Sequence, residues 1–216
     1  FVNLDHRTDG DFRYAYGQSA FKGFEAAERR LSEIPPGGLA DALSIELLDE
    51  VNALTYVATD DHGWPQLAHL MHYVEGRPVH GGELREDYQS RSLPWEMKPH
   101  QVQNVKELGL GVSTVHVGPP GQLAVIYPEG SKVRANVQEI LDQTRERLLD
   151  PEADPVETAA YFSRHLVAQH PNMDGNGRTI RALMYRILEE RGLPPPMLSD
   201  LDNDVVIKDQ QASRHH

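Results

Sequence analysis

Twelve residues near the end of the chain gather side chains of one kind of chemistry: His170-Pro171-Asn172-Met173-Asp174-Gly175-Asn176-Gly177-Arg178-Thr179-Ile180-Arg181. Gly175 and Gly177 flank Asn176, so successive backbone N–H groups can converge on one anion. A helical pattern begins there, and the first N–H groups of a helix lack partners and carry roughly half a positive charge. A helix N-terminus receives phosphate in this way. Asn176 adds an amide donor. Arg178 and Arg181, three apart, project from one side of the first turn, and guanidinium forks match phosphate oxygens. Asp174 is a hard oxygen ligand beside the nest, and one carboxylate plus substrate phosphates is a usual way to hold Mg²⁺. His170 closes the preceding helix, and histidine's reference pKa near ~6.5 suits a proton acceptor at neutral pH. Each group has a bland reading alone: a helix-end histidine as a cap, Gly-Asn-Gly as a turn, two arginines as a solvated face. Together they point to a polyphosphate.

The elements that must position these groups are mostly helical. Asp154-Pro155 opens a helix over 155–169, with aspartate as N-cap and proline in the first turn. Ala159, Phe162, Leu166 and Val167 form its apolar stripe, which leads to His170. After the glycine-rich loop, Ile180, Leu183, Met184, Ile187 and Leu188 step by three and four, until Gly192 and Pro194-Pro195-Pro196 end the helix. Residues 131–149 read as another helix, from Val133 through Val137, Ile140 and Leu141 to Leu148. Residues 110–128 read as two short strands around Gly118-Pro119-Pro120-Gly121, a hairpin.

Further upstream, residues 1–17 read as a polar, extended lead-in. Ala20, Phe21, Phe24, Ala27 and Leu31 predict an amphipathic helix over 18–34, stopped at Pro35-Pro36-Gly37-Gly38. Leu39, Leu43, Leu47, Val51 and Leu54 predict a second helix over 39–58. Residues 59–103 are broken by eight glycines and prolines, and a long irregular stretch in a compact domain is often functional. The fold class expected is mainly α, with one short β-hairpin beside the chemical site.

Composition narrows the classes. The 216 residues suit one large domain or a domain with a small appendage. A net charge of −12 argues against a nucleic-acid surface but leaves room for a small cationic site. No cysteine is present, so thiol and disulfide chemistry are excluded. No apolar run approaches the roughly 18 residues of a membrane span. The chain opens at Phe1 without a signal-peptide pattern, which suits a piece of something longer. Arg214-His215-His216 reads as native tail or tag remnant.

The motif resembles the signature of the Fic family, His-x-Phe-x-Asp/Glu-Gly-Asn-Gly-Arg-x-x-Arg. His170, Asp174, Gly175, Asn176, Gly177, Arg178 and Arg181 match it, and Asn172 stands where the family usually has phenylalanine. That departure bears on how the loop is anchored more than on its chemistry, and a polar residue there could reshape the entrance for a target. The resemblance extends over about residues 105–200, with Val115 to Ile126 similar to the family's flap, which holds a target segment by strand pairing. It implies a Fic core over 105–200, an N-terminal helical and irregular part over 1–104, and a tail over 201–216.

The resemblance also implies a reaction: transfer of AMP from ATP to a protein hydroxyl. His170 would be the base toward a Ser, Thr or Tyr hydroxyl, and Asp174 would hold Mg²⁺ across the α- and β-phosphates. Asn176 with the Gly175 and Gly177 backbone would steady the α-phosphate. Arg178 would hold the β-phosphate, and Arg181 would reach the γ-phosphate or pocket wall. Two alternatives stand beside it: transfer of UMP, phosphocholine or phosphate on the same fold, and a degenerate member that only binds. The intact Gly-Asn-Gly favours a nucleotide-monophosphate product.

Many family members are restrained by a helix bearing Ser/Thr-x-x-x-Glu-Gly/Asn. Glu75-Gly76 and Glu129-Gly130 approach that pattern, but Met71 and Val125 occupy the hydroxyl position. Ser92 and Glu96 have the spacing, but Met97 follows. Inhibition would therefore come from a separate protein such as an antitoxin or from further chain. The implied setting is the cytoplasm, or a target cell's cytosol for a toxin or delivered effector. His69, His72 and His80 lack a supporting metal-site arrangement, and Glu129-Gly130-Ser131-Lys132 lacks Walker spacing.

Overall fold

The computed structural model describes residues 9–59, 65–67, 72–74, 77–79, 81–86, 95–97, 99–108, 111–117, 122–172 and 175–195. The architecture is mainly helical, with three small antiparallel sheets. The three helices nearest the motif follow the sequence pattern closely: α5 (Gly130–Leu149), α6 (Pro155–Gln169) and α7 (Asn176–Glu189). Asp154 caps α6 as its type predicts, accepting from the N–H groups of Val156 at 2.7 Å and Glu157 at 3.2 Å. Beyond α7, Gly192 takes φ 71°, the left-handed stop expected of it.

The N-terminal half departs from expectation twice. Helix α1 runs Asp9–Ser32, so residues 9–17 of the supposed extended lead-in are helical, and residues 1–8 lie outside the description. Ala27 and Leu31 of its predicted stripe are buried, but Phe21 is 61% exposed and lies off the core face. The predicted helix over 39–58 is two: α2 (Leu39–Ala42) and α3 (Ile45–Thr55). Leu43 turns to extended backbone, and the Ser44 side chain accepts from Leu47 N–H at 3.2 Å. A new N-cap thus restarts the helix while Leu43 and Leu47 both stay buried.

The main core pools Ala27 and Leu31 of α1, Leu48 and Val51 of α3, Ile140 and Leu141 of α5, Phe162 and Leu166 of α6, and Leu183 and Ile187 of α7. Arg186 locks the far end of α7. It pairs with Glu190 at 2.7 Å and donates to the carbonyl of Ile34 at 3.0 Å, just past α1. Glu190 in turn accepts from Leu39 N–H at 3.1 Å, at the start of α2.

Residues 59–103 hold short elements too brief to show periodicity: β1 (Val57–Thr59) pairs with β2 (Pro65–Leu67), and β3 (His72–Val74) with β4 (Arg77–Val79). His69 and His80 lie outside the described residues. The predicted hairpin is β6 (Ser113–His116) with β7 (Gln122–Ile126), in the register Ser113↔Ile126 to His116↔Leu123. The sequence did not suggest its third strand, β5 (Trp95–Glu96), which pairs with the other edge of β7. Helix α4 (Pro99–Leu108) follows β5. A second apolar cluster joins Val105 and Leu108 of α4, Leu123 and Val125 of β7, Tyr127, and Ala168 of α6. The hairpin is thereby seated on the turn of α6 that precedes His170.

Candidate active site

His170 sits at the C-cap of α6 with φ 45° and ψ 60°, the one non-glycine residue with positive φ among those described. A left-handed residue is a common helix stop, but usually a glycine. A side chain there costs about 1–2 kcal/mol and persists only where its surroundings enforce it. The surroundings are specific. The His170 N–H donates to the carbonyls of Leu166 at 3.2 Å and Val167 at 3.1 Å. Its carbonyl accepts from Arg85 Nε at 2.7 Å. Its ring stacks on Tyr127, with centroids 4.4 Å apart and planes 22° from parallel.

The loop after His170 is held by backbone pairing. Leu84 and Asn172 form an antiparallel bridge, and Arg85 N–H donates to the Pro171 carbonyl at 2.8 Å. Asn172 is 1% exposed. Its Nδ2 donates to the Glu83 carbonyl at 3.1 Å. Asn172 is therefore a buried, bonded residue of the loop rather than an exposed one. Polar bonds anchor the loop at this position.

Asn176 completes the closure. Its Oδ1 accepts from Asn172 N–H at 2.9 Å and its Nδ2 donates to the Asn172 carbonyl at 2.7 Å. The side chain read from sequence as a phosphate donor is thus first a staple across the loop, with the second Nδ2 hydrogen left for another acceptor. Gly175 precedes α7 as N-cap with φ 78°. A Cβ there would stand 3.0 Å from Asn52 Nδ2, so both conformation and space call for glycine. A glycine cap also supplies no side-chain acceptor to the first turn of α7, the condition under which a helix start receives an anion.

Beneath this turn lies a polar knot that sequence reading missed. Thr179 Oγ1 accepts from Asn52 Nδ2 at 3.1 Å and lies 2.9 Å from Thr55 Oγ1. Asn52 Oδ1 accepts from Gly82 N–H at 2.9 Å. Asn52 and Thr55 lie three apart on α3, and their polarity within a buried stripe was the available signal. Arg178 Nε donates to the Thr55 carbonyl at 2.9 Å. Gly177 has open space where a Cβ would stand. Arg181 is partly buried, and its Nε is buried without a hydrogen-bond partner among the described residues. A buried donor left unpaired demands an explanation.

Asp174, the predicted metal ligand, and Met173 lie outside the described residues. Among the described residues no group of three His, Cys, Asp or Glu is arranged to hold a metal ion. Asp49 on α3 is the perturbed carboxyl near the loop. Burial pushes it up to about 7, opposed by hydrogen bonding to Asn172 and by the Arg134 charge and reinforced by Glu46 and Glu83.

The sequence profile of the Fic/DOC family matches residues 78–188, just over half of the chain. The chain belongs to the Fic/DOC family. It is 41% identical over 81 residues to a protein named "Protein adenylyltransferase Fic" in Drosophila persimilis, covering 36% of this chain and 14% of that protein. It is 50% identical over 50 residues to a protein of the same name in Nematostella vectensis, covering 23% and 12%. With "Protein adenylyltransferase fic-1" of Caenorhabditis elegans the identity is 49% over 45 residues, covering 21% and 9%. The matches thus span about a seventh or less of these curated relatives.

Proposed function

We propose that this chain transfers AMP from ATP to a Ser, Thr or Tyr hydroxyl of a target protein. The observation that carries the reading is the unpaired buried Nε of Arg181 on the helix whose uncapped start is formed by Gly175. An unpaired cationic donor and an uncapped helix start support a site that an anion would complete. The family membership and the printed names of the relatives support the same chemistry.

In this reading His170 takes the proton as the target oxygen attacks the α-phosphorus and pyrophosphate leaves. General-base help is typically worth ~10²–10⁴-fold and depends on alignment. The stack on Tyr127 and the grip on the His170 carbonyl restrict the imidazole accordingly. The first N–H groups of α7 and the second Nδ2 hydrogen of Asn176 serve the α-phosphate. Arg178 serves the β-phosphate, and Arg181 the γ-phosphate or pocket wall. Asp174, directly before the uncapped helix start, is the hard carboxylate that would hold Mg²⁺, a donor set that suits an ion shared with phosphates. The metal, when bound, neutralises phosphate charge.

The target would present an extended segment to the flap near residues 115–126. There β6 is exposed at Ser113, Val115 and His116, while β7 is paired on both edges. The expected product is a target peptide heavier by one adenylyl group after incubation of a lysate with Mg²⁺-ATP. A uridylyl, phosphoryl or phosphocholine mass in its place would assign another donor.

A further inference from the structure

We propose that Arg85 is a positioning residue for the base, locking the His170 backbone and the root of the flap to each other; the proposal rests on His170 being that base. Arg85 is 2% exposed, and each of its three guanidinium nitrogens donates to a carbonyl oxygen. Nε donates to His170 at 2.7 Å, Nη2 to Gln169 at 2.7 Å and Nη1 to Pro128 at 2.6 Å. Two of these acceptors belong to the last turn of α6, where carbonyls lack helical partners and a cation is favoured by the helix dipole. The third follows Tyr127 at the exit of β7.

The guanidinium is a rigid planar fork, so three bonds from it fix three carbonyls in one geometry. Two of them bracket the start of the motif loop. The third sets Tyr127, the ring on which His170 stacks. Arg85 N–H adds a bond to Pro171, so His170 is held on its C-terminal side as well. The unusual φ of 45° at His170 is the strain this grip sustains. Arg85 itself is placed by Leu84, which packs in the main core, and by Gly82, bonded to Asn52. A target strand pulling on the flap would therefore load the base through Arg85 as well as through the Tyr127 stack.

Arg85→Lys keeps the charge but cannot span three carbonyls. At saturating α-labelled ATP and a fixed lysate, label transfer by this variant falls roughly 10- to 100-fold, the scale of an ångström-sized misplacement. The ATP concentration for half-maximal transfer stays at the wild-type value. Amide hydrogen exchange quickens at 123–128 and at 169–172 together, while α5 and α7 keep their protection. Wild-type transfer with unchanged exchange at 169–172 would overturn the proposal. So would protection lost evenly over all helices, which would make Arg85 a residue of the fold alone. His170→Ala, run beside it, reads the base separately: full transfer by that variant sinks the base itself. The exchange arm needs no turnover, so it reads the Arg85 grip independently.

Discussion

At the scale of single residues, the two motif glycines are present for different reasons. Gly175 is called for by the protein itself, because its φ of 78° strains any other residue and a Cβ would stand tightly against Asn52, 3.0 Å away. Gly175→Ala is expected to lose about 1–3 kcal/mol, read as a lower urea midpoint. Gly177 meets nothing within 4 Å, so the protein alone gives no reason for it. Gly177→Ala should hold or gain stability by up to about 1 kcal/mol, as alanine favours a helix. It should nonetheless lose the thermal shift that Mg²⁺-ATP gives the wild type, and an undiminished shift would mean the phosphates do not pass there. Asp49 makes a pH prediction. Its folded pKa of about 7 lies above the ordinary aspartate value, so the folded state holds this proton more tightly than the unfolded one. Stability is unaffected below the unfolded pKa, declines as pH rises toward 7, and stays reduced above it. Asp49→Asn removes that decline. For a half-exposed carboxyl screened by solvent the difference between pH 5 and 8 is on the order of 1 kcal/mol. Parallel pH profiles for wild type and variant would contradict it.

At the scale of elements, α6 connects a fold signal to the site. Its N-cap Asp154 is separated from the motif by the fifteen residues of α6, so Asp154→Ala should cost about 0.5–2 kcal/mol in chemical denaturation and leave half-saturation by ATP unchanged. Helices α5 to α7 were legible because caps, three-four apolar steps and Gly/Pro stops agreed. The start of α1 was not, since its polar, glycine-containing first turns carry no apolar period. The break at Leu43-Ser44 was hidden because Leu39, Leu43 and Leu47 keep one helical stripe across it. Strand β5 has two residues, too few for any period. The motif was legible because its chemistry is contiguous. Its supports were not: Arg85 meets His170 across 85 residues, and Asn52 meets Thr179 across 127. Residues so far apart share no pattern until the chain folds.

At the scale of the whole molecule, one core drawn from six helices carries the site on its last two. Phe162, fully buried where those helices pack, should cost about 3–5 kcal/mol when changed to alanine, and the site should fail with the fold. The acidic chain sets two arginines, Arg178 and Arg181, in the first turns of the motif helix, which suits a small anionic co-substrate better than a nucleic acid. In the proposed reaction helical core, seated flap and motif loop would act as one assembly: the flap would present a hydroxyl, His170 would deprotonate it, and α7 would hold the phosphates. The most direct test gives wild type and His170→Ala the same lysate with ATP labelled at either the α- or the γ-phosphorus. The account predicts protein-bound label from the α-position alone, lost in His170→Ala. Label from the γ-position, or α-label that survives the loss of His170, would contradict it.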